Sequence, residues 1–269
     1  MKLVSDFLTA VIESKRTRLI KAKRDMPLDS LRHSALEVRT RDCGRSLRRA
    51  LSDPSINIIA EIKRASPSKG DLGMSTTVEH IADAYARGGA VAVSVLTEED
   101  YFRGSLTDLR AVRSSVSLPV LRKDFVFDEY QVYESAAAGA DSLLLIVALL
   151  KDRELERLLT ITERELGMEA LVEVHTGDEM QRAAKAGATL IGVNNRNLST
   201  FEVSVDVSRE LIAEAPRGAI LISESGLKTG TELKRLRAIG YRGFLIGEAL
   251  VRSRNAEEYL RSIIREAEE

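Results

Sequence analysis

From residue 57 onward the chain alternates short, β-branched apolar runs with longer amphipathic ones, and it does so eight times. The apolar runs lie at 57–63, 91–97, 119–124, 142–149, 170–175, 190–195, 219–224 and 243–247. Between them, apolar residues recur at helical spacing over 78–87, 106–114, 129–138, 152–166, 178–186, 204–215 and 229–239. Strict alternation of this kind calls for parallel strands joined by crossover helices. Three of the helical stretches run into similar junctions, Arg87-Gly88-Gly89-Ala90-Val91, Ala138-Gly139-Ala140-Asp141 and Lys185-Ala186-Gly187-Ala188-Thr189. Each reads as a glycine that ends a helix and enters a tight turn. Eight such units are what a closed (β/α)8 barrel requires, whereas a doubly wound open sheet is the alternative arrangement. The expected fold is α/β, a single (β/α)8 TIM barrel with a helical N-terminal extension.

Residues 1–53 precede the first strand and read as helices over 4–24, 28–35 after Pro27, and 43–51. They carry too little apolar surface for a separate core, so the expected division is an extension at 1–53 packed on a catalytic barrel at 54–269. Two placements follow. The extension packs over the N-terminal face of the barrel, or it covers the catalytic face and excludes water there.

Composition removes several functional classes. Forty basic residues balance forty-one acidic ones, so no net field draws in a polyanion, and nucleic acid is not an expected partner. The basic cluster Arg41, Arg45, Arg48 and Arg49, with Asp42 and Asp53 around it, reads as a solvated helix face. No run reaches the roughly 18 apolar residues of a membrane span, and the opening Met1-Lys2-Leu3-Val4 lacks a signal-peptide core. A soluble, cytoplasmic protein without membrane association is expected. A single Cys43 and the scattered His33, His80 and His175 offer no metal-ligand spacing, so no metal is expected.

The first strand ends in Glu61-Ile62-Lys63, a carboxylate and an ammonium two residues apart and therefore on one face. An apolar strand gains little from ending so unless both charges are needed there. In barrels, chemistry sits at the C-terminal strand ends. Polar groups collect there: Glu61 and Lys63 on the first strand, Lys123 on the third, Glu173 on the fifth, Asn194 and Arg196 on the sixth and Glu224 on the seventh. Mutual salt bridges that merely close the barrel mouth are the plainer reading, but burial of several charges is poor support for stability. Shared burial is expected to push lysine and carboxylate pKa values toward neutrality, which suits acid and base work. His175, one step beyond Glu173, reads as loop-facing or solvent-exposed.

Small residues at Ser225, Gly226 and Gly247 let backbone N–H groups approach an anion at the ends of strands seven and eight, where phosphate sites recur in barrels. Glu248 is repulsive toward a phosphate and can serve only through its backbone, with its side chain turned away. The loop Ser66-Pro67-Ser68-Lys69-Gly70 adds hydroxyl and ammonium groups, or is a plain mobile turn.

Taken in order, Glu61 to Gly70, Leu121-Arg122-Lys123-Asp124-Phe125, Leu171-Val172-Glu173-Val174-His175, Gly192 to Leu198, Ser223-Glu224-Ser225-Gly226 and Leu245 to Leu250 resemble the strand ends of the indole-3-glycerol phosphate synthase family across essentially the whole chain. The helical extension also resembles that family and favours the covering placement. The resemblance implies a sugar-phosphate substrate, 1-(2-carboxyphenylamino)-1-deoxyribulose 5-phosphate, converted to indole-3-glycerol phosphate with loss of carbon dioxide and water, and no cofactor. It implies Lys123 as the ring-closure acid, Glu173 as the base, and Lys63 as a second lysine that contacts the substrate carboxylate and serves dehydration. Which lysine serves which step stays open. Glu61 would hold Lys63 charged, and Asn194 and Arg196 would position the reacting hydroxyl and the carboxylate, Arg196 by its planar fork. Phe125 would line the aryl pocket, Ser66 would sit at the mouth, and Glu224 would join the network. Ser225, Gly226, Gly247 and the backbone of Glu248 would hold the phosphate.

Two rival functions use the same fold. A phosphoribosyl isomerase needs one acid and one base and has no use for two lysines and an arginine around a carboxylate. A non-catalytic barrel that binds a phosphorylated ligand would not need Glu173 opposite Lys123. The chain sets no oligomeric state.

Overall fold

The structure, a computed structural model, describes residues 6–42, 44–67, 70–72, 76–198 and 200–269. Met1 to Val4, Cys43, Ser68 and Lys69 lie outside the described residues. Eight parallel strands close into a barrel: β1 Ile58–Ile62, β2 Ala92–Leu96, β3 Val120–Lys123, β4 Ser142–Ile146, β5 Glu169–Val174, β6 Leu190–Asn194, β7 Ile220–Glu224 and β8 Gly243–Ile246. Closure is explicit at β1, where Ile59 pairs with Ala92 of β2 on one side and Leu245 of β8 on the other. The helices between them are α4 Val78–Arg87, α5 Leu106–Ser115, α6 Glu129–Ala137, α7 Asp152–Thr160, α8 Gly177–Lys185, α9 Asp206–Leu211 and α10 Gly230–Ile239.

Local chemistry accounts for these elements. The strands are rich in Ile, Val and Leu and almost wholly buried, as expected where one face meets the barrel interior and the other the helices. Helix starts are fixed by side-chain caps from Thr77, Ser105, Asp128, Thr176 and Thr229. At the three helix-to-strand junctions, Gly89, Gly139 and Gly187 take φ of 94°, 85° and 85°, the left-handed region that a side chain resists.

Several boundaries shift from the sequence reading. The fourth apolar run ends as a strand at Ile146 and continues as a 3-10 turn, Val147–Leu149. The stretch 152–166 is an α-helix followed by a π-helical turn, Ile161–Glu165, and 204–215 narrows to α9 plus a 3-10 turn. A two-residue hairpin (Ala65–Ser66 with Gly70–Asp71) follows β1, and two further helices, α11 Glu248–Arg252 and α12 Ala256–Glu268, end the chain. Sequence reading stopped at strand eight and missed both helices. Yet α12 has the ordinary signals, an Asn255 cap and buried Leu260, Ile263 and Ala267 at helical spacing.

The segment before β1 forms α1 Asp6–Asp25, α2 Leu28–Arg41 and α3 Leu47–Ala50. Leu8 and Val11 of α1 join the interior cluster formed by Ile59, Leu121, Leu144, Ile146 and Leu171, alongside Phe125 above β3. Leu47 and Leu51 join the same cluster beside Ile222. A Cβ on Gly243, at the start of β8, would come within 2.8 Å of Leu51, which places this residue under the barrel. The extension therefore occupies both ends: α1 over the C-terminal mouth and α3 beneath the N-terminal one.

The basic cluster is only partly a solvated face. Arg41 and Arg49 are exposed, but the Arg45 guanidinium donates to the carbonyls of Val116 and Leu118, at 2.6 and 2.9 Å. The backbone N–H of Arg45 donates to Asp141, and that of Arg48 to Glu169. Carbonyls and carboxylates at the lower end of the barrel need donors, and Arg45 with the start of α3 brings them. Among the described residues, no helix is long and apolar enough to cross a membrane.

Candidate active site

Strand alternation aims every second side chain inward, so the interior rises from an apolar layer to a charged one. Leu121, Leu171 and Ile222 lie in the apolar interior, and Lys123, Glu173 and Glu224 follow two residues on. Lys123 Nζ sits 3.1 Å from Glu173 Oε2 and 3.2 Å from Glu224 Oε2, bridging β5 and β7 from β3. Asn194 Nδ2 donates to Glu173 Oε1 at 3.1 Å, and the backbone N–H of Arg196 donates to Asn194 Oδ1 at 3.0 Å. The second bond fixes which way the Asn194 amide faces. Lys63 Nζ donates to Glu61 Oε1 at 3.0 Å.

Two glycines make room for this layer. A Cβ on Gly192 would collide with the Glu224 carboxylate, and one on Gly247 would collide with that of Glu61. Gly247 thus has a packing duty besides the anion contact read from sequence.

All these groups face one cavity of about 550 Å³, lined by Glu61, Lys63, Ser66, Lys123, Phe125, Glu173, Asn194, Arg196, Glu224, Ser225, Gly226, Gly247 and Glu248. These thirteen residues proposed from sequence therefore line one cavity, while Ser68 and Lys69 of the Ser66 to Gly70 loop lie outside the described residues. One side of the cavity is aromatic, because four of the six phenylalanines, Phe7, Phe102, Phe125 and Phe201, line it. Phe7 of α1 packs edge-on against Tyr101, Phe125 and Phe201 at 5.1, 6.4 and 5.2 Å between centroids. Sequence reading found only Phe125. Phe7 carried a signal in the apolar stripe Phe7, Leu8, Val11 of α1, whereas nothing local marked Phe102 or Phe201.

At the other end, Ser225 and Gly226 both adopt positive φ, 68° and 81°. For Ser225 this is an uncommon conformation, and a buried network holds it: Asn195 Nδ2 donates to the Ser225 carbonyl and to Ser223 Oγ, while Asn195 Oδ1 accepts from Ser208. Lys228 and Arg252 also line this end and were not anticipated. Glu248 does not turn away from charge. Its carboxylate lies between Arg196 at 3.7 Å and Arg252 at 3.3 Å, which answers the repulsion feared from sequence.

Electrostatics depart from the expected drift to neutrality. Burial works against the Lys123 ammonium, yet Glu173, Glu224 and Glu61 outweigh it and hold its pKa above the ordinary lysine value. Burial works against the Glu173 carboxylate as well, but Lys123, His175 and Asn194 hold its pKa below the usual range. Glu224 does move toward neutrality, pushed up to about 7 by burial against the opposing pull of Lys123. Opposite charges in contact outweigh desolvation for the first two groups. His175 also departs from expectation. It faces the connection after β6 but is not solvent-exposed, with a side chain only 12% exposed and Nε2 3.3 Å from Glu173 Oε1.

Such an arrangement supplies a charged proton donor touching an ionised acceptor, beside an aromatic wall and an anion-friendly end. Fold and site together define a (β/α)8 barrel with a charged cavity at the C-terminal mouth, the end at which barrel enzymes carry their chemistry. Solved structures support the fold: 3-hexulose-6-phosphate synthase from Salmonella typhimurium aligns with a TM-score of 0.62 at 12% identity, over 78% of this chain and 97% of that one. N-acetylmannosamine-6-phosphate 2-epimerase from Clostridium perfringens aligns at 0.59 and 18% identity, over 76% and 92%. The indole-3-glycerol phosphate synthase family model matches residues 8–263. Indole-3-glycerol phosphate synthase of Carboxydothermus hydrogenoformans is 48% identical over 92% of this chain and 95% of its own length, and that of Bacteroides thetaiotaomicron is 40% identical over 97% and 99%. The chain belongs to the indole-3-glycerol phosphate synthase family.

Proposed function

We propose that this cavity closes an indole ring, converting 1-(2-carboxyphenylamino)-1-deoxyribulose 5-phosphate to indole-3-glycerol phosphate, carbon dioxide and water, as a carboxy-lyase of tryptophan biosynthesis. The observation that carries the reading is Lys123 held between Glu173 and Glu224 inside a cavity with an aromatic side and an opposite end rich in backbone and cations.

The substrate aryl group packs against Phe125, and the phosphate lies along Ser225, Gly226, Gly247 and the backbone of Glu248. Ser66 closes the mouth. Arg196 takes the aryl carboxylate, exchanging Glu248 for substrate. The ring carbon bearing that carboxylate bonds to the ribulose carbonyl carbon while Lys123 gives its proton to the carbonyl oxygen. The three carboxylates around it keep that lysine protonated until it meets the carbonyl oxygen. The bond to the carboxylate then breaks, carbon dioxide leaves, and the electron pair returns to the ring. In the last step Glu173 removes a proton while Lys63, hydrogen-bonded to Glu61, protonates the departing hydroxide, and Asn194 keeps Glu173 and that hydroxyl in register.

Proton accounting closes. Two lysines each give one proton and Glu173 takes one, matching the single proton consumed when a carboxylate leaves as carbon dioxide. Glu173, 3.1 Å from Lys123, can return its proton there directly. Residues 1–53 act as an extension of the 54–269 barrel, its first helix excluding water from the site, and the protein works in the cytoplasm on this small-molecule substrate.

Purified protein incubated with the carboxyphenylamino deoxyribulose phosphate, with nothing added, is expected to develop indole fluorescence. Lys123→Ala and Glu173→Gln are each expected to lower turnover at least about a hundredfold with modest change in KM. Absence of emission from the parent protein refutes the reaction, and parental turnover in either variant refutes its assigned role.

A further inference from the structure

Glu173 has two carboxylate oxygens with different company. Oε2 faces Lys123, whereas Oε1 accepts from the neutral Asn194 and faces His175 Nε2 at 3.3 Å. The other imidazole nitrogen, Nδ1, lies 3.2 Å from Glu179 Oε2, which also accepts the His175 backbone N–H at 2.7 Å. Thr176 caps α8 by accepting from the N–H of Glu179, so the row Glu173, His175, Glu179 is fixed from both β5 and the first turn of α8. Lys123 and His175 are the two cationic side chains within ion-pair distance of Glu173 among the described residues. His175 does not line the main cavity. It opens instead on a second cavity of about 760 Å³ on the far side of Asn194.

On the proposed reaction, Lys123 spends its proton on the substrate before Glu173 acts as a base. Glu173 therefore loses its front cation when it must stay ionised. We propose that His175 is a positioning residue whose imidazolium, clamped between Glu173 and Glu179 behind the reaction cavity, keeps Glu173 a carboxylate after Lys123 turns to substrate. This inference rests on the ring-closing function proposed above.

The surrounding charges favour the clamp. Glu173 on β5 and Glu179 on α8 face the ring directly, and Arg196 and Glu202 share the second cavity from the β6 to α9 connection. Leu8 of α1 and Ala148 after β4 complete that wall without charge. Lys123 from β3 touches the other face of Glu173, and Glu224 from β7 touches that lysine. Burial works against the imidazolium, but the two carboxylates outweigh it and raise the His175 pKa to about 9. The ring is thus held as a cation below that value.

The test compares pH profiles of kcat for the parent protein and His175→Gln, which keeps polarity but loses the charge. The acidic limb is expected to move up by about one pH unit, so that turnover falls about tenfold on that limb. On the alkaline plateau, kcat stays within about twofold and KM is unchanged. A folded variant with an unmoved limb, or with kcat lowered equally at every pH, overturns the proposal. A second measurement needs no activity: NMR titration of the His175 ring in the parent protein is expected to give a midpoint near 9, and a ring already neutral at pH 7 overturns the clamp. Failure of the parent to make indole counts against the reaction alone, because the ring titration stands apart from it.

Discussion

At the residue scale, the site is a set of charges kept apart from water by their own contacts. Glu224 illustrates what this does to stability. An unfolded glutamate releases its proton near 4.5, whereas folded Glu224, 1% exposed, holds it up to about 7. Between those values the folded state binds more protons than the unfolded, so this residue lowers stability as pH rises through that window. Glu173 has the opposite sign: its depressed value adds stability that is fully present above the ordinary glutamate range and lost as pH falls. Glu224→Gln is therefore expected to gain on the parent by up to about 3 kcal/mol between pH 4.5 and 8, read from denaturant melts at the two pH values. A gap that does not widen with pH contradicts the buried, raised carboxyl. The strand-end charges were legible because alternation fixes which side chains share a face. The state of those charges was not, since it depends on which oxygen meets which nitrogen across strands far apart in sequence, and for the same reason the burial of His175 against Glu173 was not legible.

At the element scale, the informative case is α1. The residues alone left open whether the extension caps the catalytic or the opposite face, the family resemblance favoured the catalytic one, and the structure uses different helices for each. What pins α1 above the site is Lys15, 6% exposed, with Nζ 2.7 Å from Asp124 Oδ1 and 3.4 Å from Glu99. Asp124 in turn binds Arg122 at 2.9 Å and Thr97 at 2.6 Å, and it directly follows Lys123 in the chain. A lysine in an amphipathic helix ordinarily reads as solvated, so nothing local marked this one as buried. Lys15→Met leaves a buried carboxylate short of a cation and is expected to cost about 3 kcal/mol, felt first in α1. Hydrogen exchange of the α1 amides should quicken roughly a hundredfold while the barrel strands keep their protection. Unchanged α1 protection would show that the remaining contacts of α1, those of Phe7, Leu8, Val11 and Arg18 among them, hold the cover without Lys15.

At the scale of the whole molecule, the barrel was readable from repetition: eight β-branched runs, helices between them and glycines at the turns leave few closed solutions. The final helices escaped because the eighth strand already completed the count, and the aromatic wall escaped because it gathers Phe7, Phe102, Phe125 and Phe201 from separate segments. What the closed barrel achieves is to put Lys123 of β3 against Glu173 of β5 in one cavity, so that on the proposed reaction bond formation and dehydration fall to different residues. Single turnovers that follow carbon dioxide release and indole formation together test that division most directly. Glu173→Gln should release carbon dioxide while indole lags at least about a hundredfold, and Lys123→Ala should release neither. Loss of both products to the same degree in Glu173→Gln, or carbon dioxide release at the parental rate in Lys123→Ala, would contradict the account.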